Sequence, residues 1–356
     1  MLCASYRFFD TPFTLETDAA SFLERFDRTY QRFRVVSAPD GPVFRVALTK
    51  EPTLSVGGDT ISSTNREAMR QYAYNAVVNA VTGRVRSHFL FHGAALRTAG
   101  GRGVILAGDS GMGKTTLTLT LLQQGLNFLS DDVAAIGRAD GQLYPFPRCP
   151  GVRFPGGRPG EKRLIDVESL APGWDILEMK TGYPARFLFI LGQAEEQDER
   201  ACFLALDRAP APLLADLRVL DGMGEVQIVR SEPYPAVQLD LEPGVLPVVE
   251  PKIQALCRWR QVLLFEIIRG RGTRPNFDRE PELAPLSASE AAREFLRHLK
   301  GGPRSALLRH EFGGRAARLY LAAVSLTAGM DCYRLKVGRL DSMVQMITTI
   351  LYREKD

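Results

Sequence analysis

The chain has 356 residues, with 45 Lys and Arg against 41 Asp and Glu, a formal charge of +4 and 45% hydrophobic residues, an ordinary soluble globular balance for one elaborated domain or two smaller ones. No apolar run approaches the roughly 20 residues that a membrane-spanning helix needs, which excludes an integral membrane protein. The start, MLCASYRFFDTPFTLETD, is acidic and aromatic and does not read as a secretory leader.

Five cysteines (Cys3, Cys149, Cys202, Cys257, Cys332) are scattered and never spaced as C-x-x-C. They read as reduced thiols of a cytoplasmic protein, with neither a disulfide frame nor a zinc site. Of the 45 basic residues 37 are Arg, and these alternate with acids along most of the chain. Only 252–274 is locally basic, and no nucleic-acid-binding motif accompanies it, so nucleic acid is not the expected partner.

Residues 1–60 mix short apolar pieces with Pro, Gly and Asp, and predict strands joined by turns. In 65–82, Met69, Tyr72, Ala73, Ala76, Val77, Ala80 and Val81 recur at helical spacing and predict a helix with one buried face. HFLF (88–91), GAALRT and VILAG follow as a hairpin-like approach to a Gly-rich turn. A helix is expected from Lys114 to Gln124, stopped by Gly125. LNFLS (126–130) predicts a buried strand closed by Asp131-Asp132, and VAAI, RADGQ and LYPF a further hairpin. The segment PFPRCPGVRFPGGRPG (145–160) is too rich in Pro and Gly for a helix, whereas ARFLFILG (185–192) predicts a buried strand. Residues 252–270 predict an amphipathic helix. Ser287 with Glu290 forms a capping box opening a helix over 287–299. A helix over 315–329, a strand over 332–337 and a helix from about Asp341 close the chain.

The strongest signal is Gly108-Asp109-Ser110-Gly111-Met112-Gly113-Lys114-Thr115, which satisfies G-x-x-x-x-G-K-[ST]. Glycines in such a loop let backbone N–H groups turn toward phosphate oxygens, and the following helix points its positive end at them. Lys114 would reach the β- and γ-phosphates, Thr115 would ligate Mg²⁺, and Thr116 opens the helix beside them. An accidental match in a chain of this composition is on the order of one per cent. The apolar strand before the loop and the helical stretch after it supply the required context. The expected ligands are ATP and Mg²⁺.

Neither an N-K-x-D guanine motif nor an L-S-G-G-Q-like transporter signature occurs. Taken in order, three features resemble the HPr kinase/phosphorylase group, whose nucleotide-binding core is shared with ATP-dependent phosphoenolpyruvate carboxykinase. GDSGMGKT is close to that family's GDSGxGKS. Asp131 and Asp132 end the next strand 17 and 18 residues after Lys114, and His92-Gly93 stands 16 residues before Gly108. The resemblance implies an α/β fold, a P-loop core of the HPr kinase/phosphoenolpyruvate carboxykinase type with a mixed sheet and added N- and C-terminal elements. It divides the chain into an N-terminal β-rich accessory region (1–64), the core (65–195), an insertion or accessory lobe (196–310) and a closing strand and helix (311–356).

By the same resemblance Asp131 is the general base, Asp132 the metal-side carboxylate, with the order of the two open to exchange, Lys114 serves the phosphates, and His92 lies near the γ-phosphate and Asp131. His88, His298 and His310 read as structural. Arg148, Arg153 and Arg158 suit a phosphorylated or acidic substrate, and Glu178 and Lys180 read as surface charges. The implied activity is phosphorylation of a Ser or Thr hydroxyl on a protein or peptide other than HPr, encoded nearby, by an enzyme whose homo-oligomerisation stays open. Two rivals are a small-molecule hydroxyl kinase on the same core and a nucleotide-sensing regulator that transfers nothing. A carboxykinase proper would need further Lys and His ligands upstream, where only Lys50 precedes the loop.

Overall fold

A computed structural model describes the chain except residues 39, 110, 147, 149, 153–162, 165–180, 193–200, 231–234, 243, 270–275, 301–304 and 354–356. The fold is mixed α/β, and its two larger sheets combine parallel and antiparallel strands.

The first 62 residues form a six-stranded sheet of β1 (Leu2–Phe8), β2 (Thr11–Thr17), β3 (Arg34–Val35), β4 (Val43–Ala47), β5 (Thr53–Val56) and β6 (Asp59–Ser62), in the order β3-β1-β2-β4-β5-β6. Strands joined by turns were expected here, but a helix, α1 (Ala20–Tyr30), interrupts them. Phe22, Phe26, Thr29 and Tyr30 give it a buried stripe. Its start carries no capping signal because Asp18, the residue best suited to cap it, accepts instead from the N–H groups of Leu48 and Thr49 at the end of β4. Aromatic rings fill this core: Tyr6, Phe8, Phe13, Phe26 and Tyr30 form stacked, tilted and edge-on pairs with centroids 4.8–5.2 Å apart.

Helix α2 (Arg66–Thr82), capped by the Asn65 side chain on Ala68 N–H, packs its Met69, Ala73, Val77 and Val81 face into the same core. The central sheet has nine strands among the described residues. Its main path runs β10-β8-β9-β15-β12-β11-β7, where β7 is His88–Phe91, β8 Gly93–Arg97, β9 Gly103–Gly108, β10 Asn127–Ser130, β11 Ala134–Gly137, β12 Gln142–Tyr144 and β15 Tyr183–Gly192. A short pair, β13 (Gly151–Val152) with β14 (Arg163–Leu164), lies off this path. Helix α3 (Lys114–Gln123) follows β9 directly.

Residues 201–269 fold into a separate four-stranded sheet of β16 (Ala201–Leu206), β17 (Met223–Arg230), β18 (Ala236–Leu241) and β19 (Leu264–Arg269), covered by α4 (Ala211–Arg218) and α5 (Leu246–Trp259). One helix was expected over 252–270. The helix instead ends at Trp259, Gln261 takes a left-handed φ of 54°, and the apolar run that follows pairs with β16. No glycine marks this stop, and a short apolar run suits either helix or strand until a neighbouring strand offers its ladder. Beyond it, β20 (Glu282–Pro285) pairs with β21 (Asp331–Lys336), and β21 lies parallel to β15, so this part of the chain belongs to the central sheet. Helices α6 (Ala288–Arg297, with the expected capping box), α7 (Ala316–Thr327) and α8 (Leu340–Tyr352) pack on that sheet. No helix among the described residues is long and apolar enough to cross a membrane.

Phe146, just after β12, joins the two cores. It is 0% exposed, its N–H bonds to Leu129 O on β10, and its ring meets Phe8 and Phe33 at 5.1 Å. Phe146→Ala is therefore expected to lower unfolding free energy by about 3–5 kcal/mol in denaturant titrations.

Candidate active site

Topology brings three sequence-predicted elements to one edge of the central sheet. Strands β9 and β10 flank β8 and both run antiparallel to it, so their carboxyl ends and the start of β8 lie together. The loop 108–113 leaves β9, Asp131-Asp132 leave β10, and His92 stands immediately before β8. Close approach demands glycine at two of these points. A Cβ on Gly93 would come within 2.8 Å of Leu106 O, and one on Gly108 within 2.7 Å of Leu191 O.

The loop turns through left-handed Gly111 (φ 92°) and Gly113 (φ 80°), and Gly113 has no side chain with which to cap α3. Lys114 is buried and folds back over the loop, donating from Nζ to Gly108 O at 2.6 Å and Asp109 O at 2.9 Å. Burial lowers its ammonium pKa to about 8, against the raising effect of nearby carboxylates. The Met112 side chain packs into the core with Leu117 and Leu121, leaving only its backbone to the loop, and Thr116 is exposed. Ser110 lies outside the described residues, as do Cys149, Arg153, Arg158, Glu178 and Lys180.

The two carboxylates live in different surroundings. Thr115 Oγ1 donates to Asp131 Oδ2 at 3.0 Å, while Asp131 Oδ1 is buried with no hydrogen-bond partner among the described residues. Burial first, and Asp132 second, push the Asp131 carboxyl up to about 6. Asp132 instead meets His92 Nδ1 at 2.9 Å, Lys300 Nζ at 3.3 Å and the Arg148 guanidinium. Burial opposes its charge, yet Arg148, Lys300 and His92 together hold it well below the usual carboxylate range. With Asp132 accepting from Nδ1–H, the neutral imidazole keeps its lone pair on Nε2. Burial also lowers the His92 pKa, only partly offset by Asp132.

No group of three or more His, Cys, Asp or Glu among the described residues is placed to hold a metal ion. A hydroxyl beside one half-satisfied carboxylate nonetheless fits Mg²⁺, which takes few protein oxygens and fills its remaining positions with water and phosphate. The orphaned Asp131 Oδ1 and its neighbour Thr115 Oγ1 are the donors suited to it.

Arg148, whose guanidinium suits an acidic substrate, is engaged by Asp132 and by Asn75 Oδ1 at 3.4 Å. His88 stacks on Phe9 at 3.9 Å and bonds Ser87 Oγ, as a structural histidine should. His298 Nδ1 lies 3.9 Å from Asp109 Oδ1, and its carbonyl accepts the His92 N–H at 2.7 Å. Lys300 escaped sequence reading altogether. Its rarity, as one of eight lysines, was the only signal, and nothing in the local sequence links it to residues so distant in the chain.

No protein-family model and no curated protein matches the chain. Among solved structures, the HPr(Ser) kinase/phosphatase from Coxiella burnetii aligns with 48% of this chain and 97% of its own, at 17% identity and a TM-score of 0.23. At that level of likeness the functional assignment rests on the geometry of Lys114, Asp131, Asp132 and His92.

Proposed function

We propose that the chain is an ATP- and Mg²⁺-dependent kinase that phosphorylates a Ser or Thr hydroxyl on a protein or peptide. The observation that carries this is the pairing at one sheet edge of Thr115 with Asp131 and of His92 with Asp132, next to a loop lysine buried in its own turn.

The geometry favours exchanging the two carboxylate roles that the family resemblance implies. Asp131, bonded to Thr115 and carrying an orphaned oxygen, suits the metal side; Asp132, bonded to His92, suits the acceptor side. Mg²⁺ held by Thr115 and Asp131 would neutralise phosphate charge. In the transfer, the acceptor hydroxyl oxygen bonds to Pγ as the bond from Pγ to the bridging oxygen of ADP breaks, and that oxygen keeps the electron pair. The hydroxyl proton passes to His92 Nε2, and Asp132 stabilises the imidazolium that results. Lys114, released from the carbonyls of Gly108 and Asp109, follows the phosphates.

The direct test is incubation with γ-labelled ATP, the proteins encoded beside this gene and a metabolite pool. Label in a polypeptide supports the proposal, label in a metabolite replaces it with small-molecule kinase activity, and nucleotide binding without transfer replaces it with sensing. Lys114→Ala should abolish labelling, and unchanged turnover would remove the loop from the chemistry. Asp132→Asn and His92→Ala should each lower transfer by roughly 10²–10⁴-fold while nucleotide affinity stays within a few-fold. Asp131→Asn should instead remove the Mg²⁺ dependence of nucleotide binding, measured by calorimetry. Because the Asp131 carboxyl sits at about 6, a proton competes with the cation below that pH. Mg²⁺-dependent affinity should be full above pH 6 and fall as pH drops through it; a flat profile would place the metal elsewhere.

A further inference from the structure

We infer that Lys300 is a catalytic residue of this site, the cation that grips the γ-phosphoryl group and distinguishes a nucleoside triphosphate from a diphosphate. The inference rests on the kinase reading above and adds a group that no motif of the chain contains.

Lys300 is delivered to the site by backbone pairing. The turn His298–Lys300 that closes α6 lies against the end of β7: His92 N–H donates to His298 O and Lys300 N–H to Leu90 O, both at 2.7 Å, around an isolated bridge of Phe91 with Leu299. One short ladder thus fixes both His92 and Lys300, and their side chains converge on opposite oxygens of Asp132, at 2.9 and 3.3 Å. The Lys300 side chain is only 15% exposed. Placing an ammonium in such a pocket costs desolvation, which a purely structural role would not need when Arg148 already satisfies the same carboxylate oxygen.

The two cations on Asp132 differ in geometry, and Lys300 also has His92 Nδ1 at 3.4 Å. Arg148 has a planar fork, held at Asp132 and at Asn75 Oδ1. Lys300 is a point charge on a flexible stem. When its Nζ leaves Asp132, the half-buried carboxylate still keeps Arg148 and His92. The destination is near: Asp132, on which Lys300 rests, directly follows Asp131, which accepts from Thr115 beside the loop lysine. Phosphate at the loop would draw the ammonium toward it. In the transfer, the acceptor oxygen bonds to Pγ, the Pγ–O bond to ADP breaks with its electron pair staying on ADP, and the hydroxyl proton goes to His92. Lys300 makes or breaks no bond; it neutralises charge on the non-bridging oxygens of the moving group.

The test is calorimetric binding of the Mg²⁺ complexes of ADP and of the non-hydrolysable β,γ-imido analogue of ATP to the full chain and to Lys300→Met. Loss of one charge-assisted contact to the γ-phosphate predicts roughly tenfold weaker analogue binding, with ADP affinity changed less than twofold and Lys300→Arg recovering most of the loss. Retained ADP binding also shows that the variant is folded. Equal weakening for both nucleotides at an unchanged melting temperature, or no weakening for either, would overturn the inference and leave Lys300 a positioning residue for Asp132. Should Lys300→Met fail to fold, Lys300→Gln, which keeps a polar but uncharged end on a shorter side chain, decides by the same comparison. A full chain that binds neither nucleotide would overturn the kinase reading and this inference with it.

Discussion

An ionised carboxylate survives inside a protein only where cations and hydrogen-bond donors replace the water it has lost, and Asp132 is the point at which this chain meets that condition. Its three partners come from separate parts of the fold: His92 from the turn before β8, Arg148 from the segment after β12, and Lys300 from the segment after α6. Asp132 is half-buried, its side chain 25% exposed, and shares its charge among all three. Together they hold it charged, and so the ionisation of one side chain depends on the assembly of the whole central sheet. Asp131, one residue away, has no ion pair among the described residues and sits near a pKa of 6. Two adjacent acids thereby acquire different properties, which is the usual physical basis for giving a pair of carboxylates two jobs.

The same constraint gives the N-terminal sheet a reason to be attached where it is. Arg148 lies two residues beyond Phe146, whose ring is clamped among Phe8, Phe33 and Tyr30. The guanidinium itself reaches Asn75 on α2. The aromatic core built by residues 1–62 is thus the back wall of the candidate site, and its packing sets where the guanidinium sits. The four-stranded sheet of residues 201–269 touches this region differently. Asp207 accepts from Ser63 Oγ at 3.2 Å and from Leu263 N–H at 2.7 Å, and Gln261 Oε1 accepts from Ser62 N–H at 2.8 Å, which fixes that lobe beside the start of α2.

Much of the local structure was legible because it rests on short-range rules. The helix of 66–82, the hairpin into the loop, the strand–loop–helix from β9 to α3 and the Ser287 capping box all follow from periodicity, caps and glycines that act within a few residues. The departures come where a distant partner overrode the local signal. Asp18 was drawn away from α1 by the backbone of Leu48 and Thr49, and the run after Gln261 became a strand because β16 offered it a ladder.

At the site the division is similar. The order of residues alone determined the loop, the lysine and threonine that follow it, and the placing of an Asp pair at a strand end, because glycine conformations and strand–loop–helix connections are encoded locally. The tertiary structure alone decided which acid faces Thr115 and which faces His92, turned Arg148 inward onto Asp132, and added Lys300 from 168 residues further along the chain. Charge interactions act through space and follow the fold, so no spacing along the chain could have announced them.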